Sequence, residues 1–148
     1  MNSFLHVIRK LELEDIDKNY FELLQNLSLI SINDLDKIKN KEFIESLDEK
    51  HQIWIIYDTQ EQKIIATGTL LVENKLIRNY GKVGHIEDIV VAPDFKNQGV
   101  GKRLVSHLVK VAEEEGCYKC ILHCNPNLVS FYQKNNFTHY GCHMRQDF

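Results

Sequence analysis

The spacing of hydrophobic positions changes several times along the chain, and each spacing predicts an element. Residues 5–10 alternate weakly, which favours a first strand. Residues 15–25 carry apolar side chains at helical spacing, and Asp15 is the expected N-terminal cap of that helix. A second helix is expected to begin at Asn33 or Asp34. Its apolar positions are Leu35, Ile38, Phe43, Ile44 and Leu47.

A strand pattern replaces the helical one in the middle of the chain. Residues 51–57 are rich in branched and aromatic side chains, and the polar turn 58–61 separates them from a second such run at 63–72. This pair predicts an antiparallel hairpin. A basic stretch, residues 75–82, then leads into a fourth strand that ends at Val91.

The second half of the chain predicts two further helices and two further strands. An amphipathic helix is expected from about Val100 to Glu115, and Gly116 should end it. A fifth strand at 118–124 and a short helix at 126–135 follow, and the C-terminus then alternates weakly from Phe137 to Met144. The order β-α-α-β-β-β-α-β-α-β predicts a mixed α/β (α+β) sheet. Nothing in the sequence marks a linker, so we expect one domain over residues 1–148.

Composition excludes several classes of protein. The 148 residues are 43% hydrophobic and 26% charged, as in a globular chain, and the net charge of -3 provides no basic surface for nucleic acid. No apolar run approaches the roughly 20 residues that span a bilayer. The N-terminus is too short and polar to be a signal peptide, so we expect a cytoplasmic protein.

Four cysteines raise the question of a zinc site. Cys117, Cys120 and Cys124 are clustered, and Cys142 lies near the end. In a strand, however, Cys120 and Cys124 share one face, and no glycine or proline would allow Cys117 and Cys120 to turn around one metal. We therefore expect reduced, buried thiols and no metal.

The segment Lys96–Lys102 contains the most informative glycines. Gly99 and Gly101 lie between a strand and a helix start, where backbone N–H groups and the helix dipole favour an anion such as a diphosphate. Leu104 replaces the third glycine of the dinucleotide fingerprint, and Lys96 replaces the first glycine of the phosphate loop. Glycines at helix starts often have a purely steric role, so both interpretations stay open on this loop alone.

Two longer segments resemble motifs of the GNAT acetyltransferase superfamily. Residues 90–104 are similar to its motif A, with Lys96 in the first place of the pattern Gln/Arg-x-x-Gly-x-Gly/Ala. Residues 131–137 resemble its motif B, with Asn136 where glycine is usual; asparagine tolerates the same left-handed backbone. The resemblance implies a GNAT fold with about six to seven strands, splayed between strands 4 and 5, and about four flanking helices.

A narrower resemblance involves the segment Gly84–Val91. It is similar to the glucosamine-6-phosphate N-acetyltransferase branch of the superfamily. The resemblance implies acetyl transfer from acetyl-CoA to the sugar amine by direct attack, a place in UDP-GlcNAc biosynthesis, and a homodimer. Another small amine or a protein N-terminus as acceptor, and a non-catalytic acyl-CoA-binding module, are the alternatives.

The same resemblance implies roles for individual residues. Tyr132 would protonate the departing thiolate, and His123 would orient the amine through its carbonyl or accept a proton through its ring. The implied acetyl-CoA-binding residues are Ile89, Val90, Val91, Asn97, Gln98, Gly99, Val100, Gly101, Lys102, Asn127 and Tyr132. The implied substrate-binding residues are Ser28, Lys75, Arg78, Glu87, Asp88, His123, Cys124 and Arg145.

Overall fold

A mixed sheet forms the centre of the computed structural model, which describes residues 5–30 and 36–148. Its strand order follows the chain, and every neighbouring pair is antiparallel except the last, β4 with β5, which is parallel. The five strands in the described residues are β1 (His6–Lys10), β2 (His51–Asp58), β3 (Lys63–Asn74), β4 (Lys82–Val91) and β5 (Cys117–Leu122).

Helices cover both faces of this sheet. Within the described ranges they are α1 (Leu13–Ile16), α2 (Tyr20–Leu24), α3 (Lys37–Ser46), α4 (Ile77–Tyr80), α5 (Val100–Glu114) and α6 (Val129–Gln133). Short 3₁₀ turns at Pro93–Phe95 and Pro126–Leu128 precede α5 and α6. Helix α5 is the crossover that a parallel pair of strands requires. The α/β fold class is confirmed.

Two apolar layers hold the helices to the sheet. On one face Leu104, Leu108 and Ala112 of α5 pack on residues such as Leu70 and Ile86. On the opposite face Tyr20 and Leu23 of α2 pack on Ile53, Ile55 and Ile64. Because strand side chains alternate, Ile64 and Ile65 of β3 belong to different layers, as do Ile89 and Val90 of β4. We call the two sides the α5 face and the α2 face.

The helix predicted for residues 15–25 is interrupted. Helix α1 ends at Ile16 and α2 starts at Tyr20. Between them, the side-chain amide of Asn19 donates to the Ile64 carbonyl and accepts from the Ile64 N–H, at 2.8 Å each, and these contacts with β3 accompany the break. The prediction that Asp15 is the N-terminal cap is wrong, since Glu12 occupies that position.

Asp15 serves instead as a buried ionic anchor. Its carboxylate accepts hydrogen bonds from Arg9, from Lys18 and from the Glu12 N–H. Burial opposes ionisation, but these hydrogen bonds lower its pKa to about 2. The ionised carboxylate therefore ties β1 to α1 at neutral pH.

Two other elements differ from the prediction: the start of α3 and the C-terminal strand. Asp36 caps α3 by accepting from the N–H groups of Ile38 and Lys39, whereas Asn33, Asp34 and Leu35 lie outside the described residues. Residues 137–148 form no strand, so the described sheet has five strands rather than six or seven. None of the helices in the described ranges is long and apolar enough to cross a membrane.

The cysteines of β5 share a face because of an irregularity. The register with β4 shifts between Lys82 and Val83, so both Cys117 and Cys120 pack against the core under α5. Burial, and then Cys117, raise the pKa of the Cys120 thiol to about 11. All four cysteines are free, but none is fully buried as expected: Cys117, Cys120 and Cys124 are half-buried, and Cys142 is exposed. No cluster of three metal-binding side chains occurs within the described ranges.

Candidate active site

Strands β4 and β5 separate halfway along β4. Their register runs from Lys82 opposite Cys117 to Ile86 opposite Leu122 and ends there, while β4 continues to Val91. The edge of β4 that includes Ile89, Val90 and Val91 therefore has no β5 partner. Unpaired N–H and C=O groups of a strand edge can pair with any extended chain that carries amide groups.

A row of free N–H groups lies where α5 begins. The backbone N–H groups of the six residues from Asn97 to Lys102 have no acceptor in the described chain. The first backbone N–H of α5 that makes a hydrogen bond is that of Arg103, which donates to the Gly99 carbonyl. Two positive φ angles, 61° at Asn97 and 81° at Gly99, shape this loop. Together with the helix dipole, the loop can hold a diphosphate.

Gly101 also has a packing role in this loop. A Cβ at this position would lie 3.4 Å from both Phe131 and Val91. The first turn of α5 thus lies closely against the end of β4 and against α6. The structure therefore shows a backbone role for each glycine: Gly99 adopts the left-handed conformation, and Gly101 allows the close approach.

A β-bulge places the two acids of β4. The β3–β4 register shifts between Thr67, opposite Val90, and Thr69, opposite Glu87. Asp88 is the bulged residue, with φ at 52° and an exposed side chain, and Glu87 is half-buried on the α2 face. Gly68 lies opposite the bulge, where a Cβ would come within 2.4 Å of Ile89. The bulge brings two carboxylates to the point where β4 and β5 separate.

Tyr132 is enclosed by aromatic rings. It is 7% exposed, and Phe131 and Phe137 pack edge-on against it at centroid distances of 4.9 and 5.9 Å. Its hydroxyl has no hydrogen-bond partner in the described chain. Burial, and secondarily Cys124, raise the pKa of Tyr132 above its usual value of 10. The neutral phenol is therefore available as a proton donor at neutral pH.

The segment after β5 carries three other predicted residues. His123 is exposed, and its ring stacks on that of His143 with 3.8 Å between the ring centroids. Cys124 is half-buried and lies near Tyr132, whereas Asn127 is exposed in the 3₁₀ turn. Asn136 adopts a φ of 66°, which confirms the left-handed backbone expected there.

The residues predicted to bind the phosphate differ in whether their charge is already paired. Lys75 Nζ lies 2.5 Å from Glu73, Arg145 is paired with Asp147, and Ser28 is exposed beyond α2. The guanidinium of Arg78 lies over the ring of Tyr118, and none of the ion pairs within the described ranges includes it. Residues 78–80 all have positive φ, in a left-handed turn.

The sequence did not predict two polar residues beside Glu87, Thr67 and Thr69. Thr67 and Thr69 of β3 are buried on the α2 face, and Tyr20 lies 3.4 Å from the Thr67 hydroxyl. Gly68 between them was the available signal, because a glycine inside a strand often marks a bulge.

A separate cleft of about 280 Å³ lies at the other end of the sheet, between Lys82 and Glu115. Two of its charged side chains have partners: Lys82 Nζ donates to the backbone carbonyl of Glu115, and Gln52 donates to the Glu115 carboxylate. This cleft contains none of the predicted site residues.

Comparisons with known proteins agree with this geometry. The model of the Acetyltransferase (GNAT) family matches residues 12–137. A glucosamine 6-phosphate N-acetyltransferase 1 of Dictyostelium discoideum is 38% identical over 136 residues, covering 92% of this chain and 87% of that protein. A Candida albicans glucosamine 6-phosphate N-acetyltransferase is 39% identical over 144 residues, covering 94% and 93%.

A solved structure extends the agreement to the fold. The crystal structure of glucosamine-6-phosphate N-acetyltransferase from Arabidopsis thaliana has a TM-score of 0.89 and 38% identity, and the match covers 97% of this chain and 98% of that one. This chain therefore belongs to the GNAT family and is an acetyl-CoA-dependent N-acetyltransferase, as the family match shows and as the unpaired β4 edge and the free N–H groups of α5 support.

Proposed function

We propose that this protein transfers the acetyl group of acetyl-CoA to the amine of D-glucosamine 6-phosphate, giving N-acetyl-D-glucosamine 6-phosphate for UDP-GlcNAc biosynthesis. The observation that carries the proposal is the bulge at Asp88, which places two carboxylates at the separation of β4 and β5. The names of the curated relatives support the same acceptor.

Binding of acetyl-CoA would use two backbone features. Amide groups of its extended arm would pair with the free edge at Ile89–Val91, and its diphosphate would accept from the N–H groups of Asn97–Lys102. The exposed side chain of Lys102 adds a positive charge beside the loop. This arrangement would direct the thioester toward the gap between the strands.

Glu87 and Asp88 would hold the acceptor. An amino sugar phosphate carries an ammonium group and several hydroxyls, and carboxylates bind both. For the phosphate we favour Arg78, because Lys75 is paired with Glu73 and Arg145 with Asp147. Hydrogen bonds from Lys75 and then from His85 lower the pKa of Glu73, so this carboxylate stays ionised and competes for Lys75.

The chemistry would be direct attack of the neutral amine on the thioester carbonyl. The new C–N bond forms as the C–S bond breaks, and Tyr132 donates its proton to the leaving sulfur. The nitrogen, which becomes positively charged on attack, loses one proton to solvent, and the Tyr132 phenolate takes up a proton from solvent to restore the phenol. The acetyl-CoA supplies the activated acyl group, so no acyl-enzyme is required.

A panel of amine acceptors tests this function. We expect thiol release from acetyl-CoA with D-glucosamine 6-phosphate, and a value of kcat/KM at least tenfold lower for D-glucosamine without the phosphate. A preference for polyamines, peptides or protein N-termini would overturn the proposed acceptor. Incubation with acetyl-CoA alone should release no stoichiometric burst of thiol; a burst would contradict direct attack.

We also propose that the protein is a homodimer. Large apolar side chains are exposed in two segments that a second copy could cover, with Leu76, Ile77 and Tyr80 in one and Tyr140, Met144 and Phe148 in the other. Light scattering should give twice the mass of one chain at working concentrations. A fully active monomer would refute this expectation.

A further inference from the structure

Two threonines on the same face of β3 differ in how their hydroxyls are used. Thr67 Oγ1 donates to the Trp54 carbonyl at 3.0 Å, so its single proton is committed, and in the 3.4 Å contact with Tyr20 it can only accept. Thr67 is therefore satisfied inside the protein. Thr69, two residues further along the strand, has no hydrogen-bond partner in residues 5–30 and 36–148.

The unpaired hydroxyl of Thr69 is nevertheless reachable from outside. Thr69 is 6% exposed. Two side-chain atoms in the described chain are both fully buried and without a hydrogen-bond partner, namely His107 Nε2 and Asn135 Oδ1. Thr69 Oγ1 is not one of them, so part of the small exposed area belongs to this oxygen. An almost buried hydroxyl with neither a partner nor full enclosure is suited to bind a ligand.

The surroundings of Thr69 indicate which ligand group it would bind. Thr69 lies directly opposite Glu87 in the register, immediately before the bulge at Asp88. Opposite residues of an antiparallel pair have Cβ atoms about 4.5 to 5.5 Å apart, so the Thr69 and Glu87 side chains are direct neighbours on the α2 face. Ile53 faces Thr69 from β2 on the other side. The polar neighbour of Thr69 is therefore on the β4 side, which is also the side of the proposed acceptor site.

We propose that Thr69 is a specificity-determining residue whose hydroxyl binds a ring hydroxyl of the acceptor sugar. An ammonium group would prefer Glu87 or Asp88, because charge-assisted hydrogen bonds are the stronger ones. A threonine hydroxyl can both donate to and accept from a sugar hydroxyl, which makes a neutral pair of this kind complementary. This inference rests on the proposed function, since it assumes an amino sugar acceptor.

Three variants separate binding from a structural role. Thr69→Val removes the hydroxyl while keeping the branched shape, and it should raise KM for D-glucosamine 6-phosphate about threefold to tenfold. The KM for acetyl-CoA should stay within about twofold. Thr69→Ser keeps a hydroxyl and should preserve the wild-type acceptor KM within about threefold. Thr67→Val is the matched control, which should lower Tm without a selective change in acceptor KM.

Deoxy analogues of the acceptor identify the contact itself. The 1-deoxy, 3-deoxy and 4-deoxy forms of glucosamine 6-phosphate are each assayed with wild type and with Thr69→Val. One analogue should lose affinity in wild type and show no further loss in the variant, because its partner hydroxyl is already absent. An equal penalty for Thr69→Val with all three analogues would overturn the contact.

The outcomes distinguish this inference from the function on which it rests. Wild-type turnover of glucosamine 6-phosphate together with an unchanged acceptor KM in Thr69→Val overturns the inference alone. Absence of wild-type turnover overturns the proposed function and the inference with it. A parallel rise of both KM values and a fall in Tm would show that Thr69 is structural.

Discussion

Replacement of Tyr132 by phenylalanine should lower kcat about a hundredfold or more, while acetyl-CoA binding persists. A positioned general acid contributes roughly 10² to 10⁴ to a rate. Phenylalanine keeps the ring that packs between Phe131 and Phe137 and removes only the hydroxyl. The loss should therefore appear in kcat and not in the dissociation constant of coenzyme A.

The pH dependence follows from the direction of the pKa shift. Burial raises the pKa of Tyr132 above its usual value, so the phenol is protonated below that raised pKa and loses its proton only above it. Wild-type activity should show no loss from this group between pH 7 and about 10. In Tyr132→Phe no alkaline limb from this group should remain.

Tyr140 provides the control for this experiment. It is 95% exposed in the C-terminal segment, so Tyr140→Phe removes a tyrosine hydroxyl that the chain itself does not enclose. Its kcat should remain within about twofold of wild type. If Tyr132→Phe retains a third or more of kcat, the general-acid role is wrong; if coenzyme A binding is lost as well, Tyr132 acts mainly through packing.

Replacement of Gly99 by alanine should raise the dissociation constant of acetyl-CoA about tenfold or more. Its φ of 81° costs about 1–2 kcal/mol for a residue with a Cβ, so the loop would relax toward negative φ. That rotation would turn neighbouring N–H groups away from the anion. A hydrogen bond to a charged group contributes about 1.5–3 kcal/mol, so loss of one such bond accounts for a tenfold change or more.

Gly116 is a matched control at the opposite end of α5. It also has a φ of 81°, and no atom lies within 4 Å of the position that a Cβ would take, as at Gly99. Gly116→Ala should therefore lower Tm by a similar amount but leave acetyl-CoA affinity unchanged. Calorimetric titration with coenzyme A and thermal unfolding measure the two effects. Equal affinities of the two variants would contradict the anion-binding role of the loop.

Local sequence patterns were sufficient to predict most strands and helix α5. The antiparallel pair β2–β3, the end of β4 at Val91 and the stop at Gly116 were all predicted, because alternation, helical spacing and a glycine stop depend on neighbours in sequence. The resemblance to the GNAT motifs, carried by residues 90–104 and 131–137, agreed with the family match.

The errors arose where contacts between distant residues overrode local pattern. The strand expected at 118–124 did not include Cys117, but β5 begins at Cys117 and its shifted register puts both Cys117 and Cys120 on the core side. Helical spacing continued through residues 17–19, but Asn19 instead bonds to the backbone of Ile64. Residues 137–144 alternate weakly, yet a strand needs a partner edge, and none pairs with them in the described chain.

The glycine loop is a feature that the sequence alone predicts. Glycines at 99 and 101 between a strand and a helix start predict free N–H groups and an anion site, because backbone freedom and helix polarity are local properties. The separation of β4 from β5 was expected only through the resemblance, whereas the bulge at Asp88 and the reachable hydroxyl of Thr69 follow from the folded chain alone. Each of them depends on which residue of one strand lies opposite which residue of the next, and that register is set by packing between elements distant in sequence.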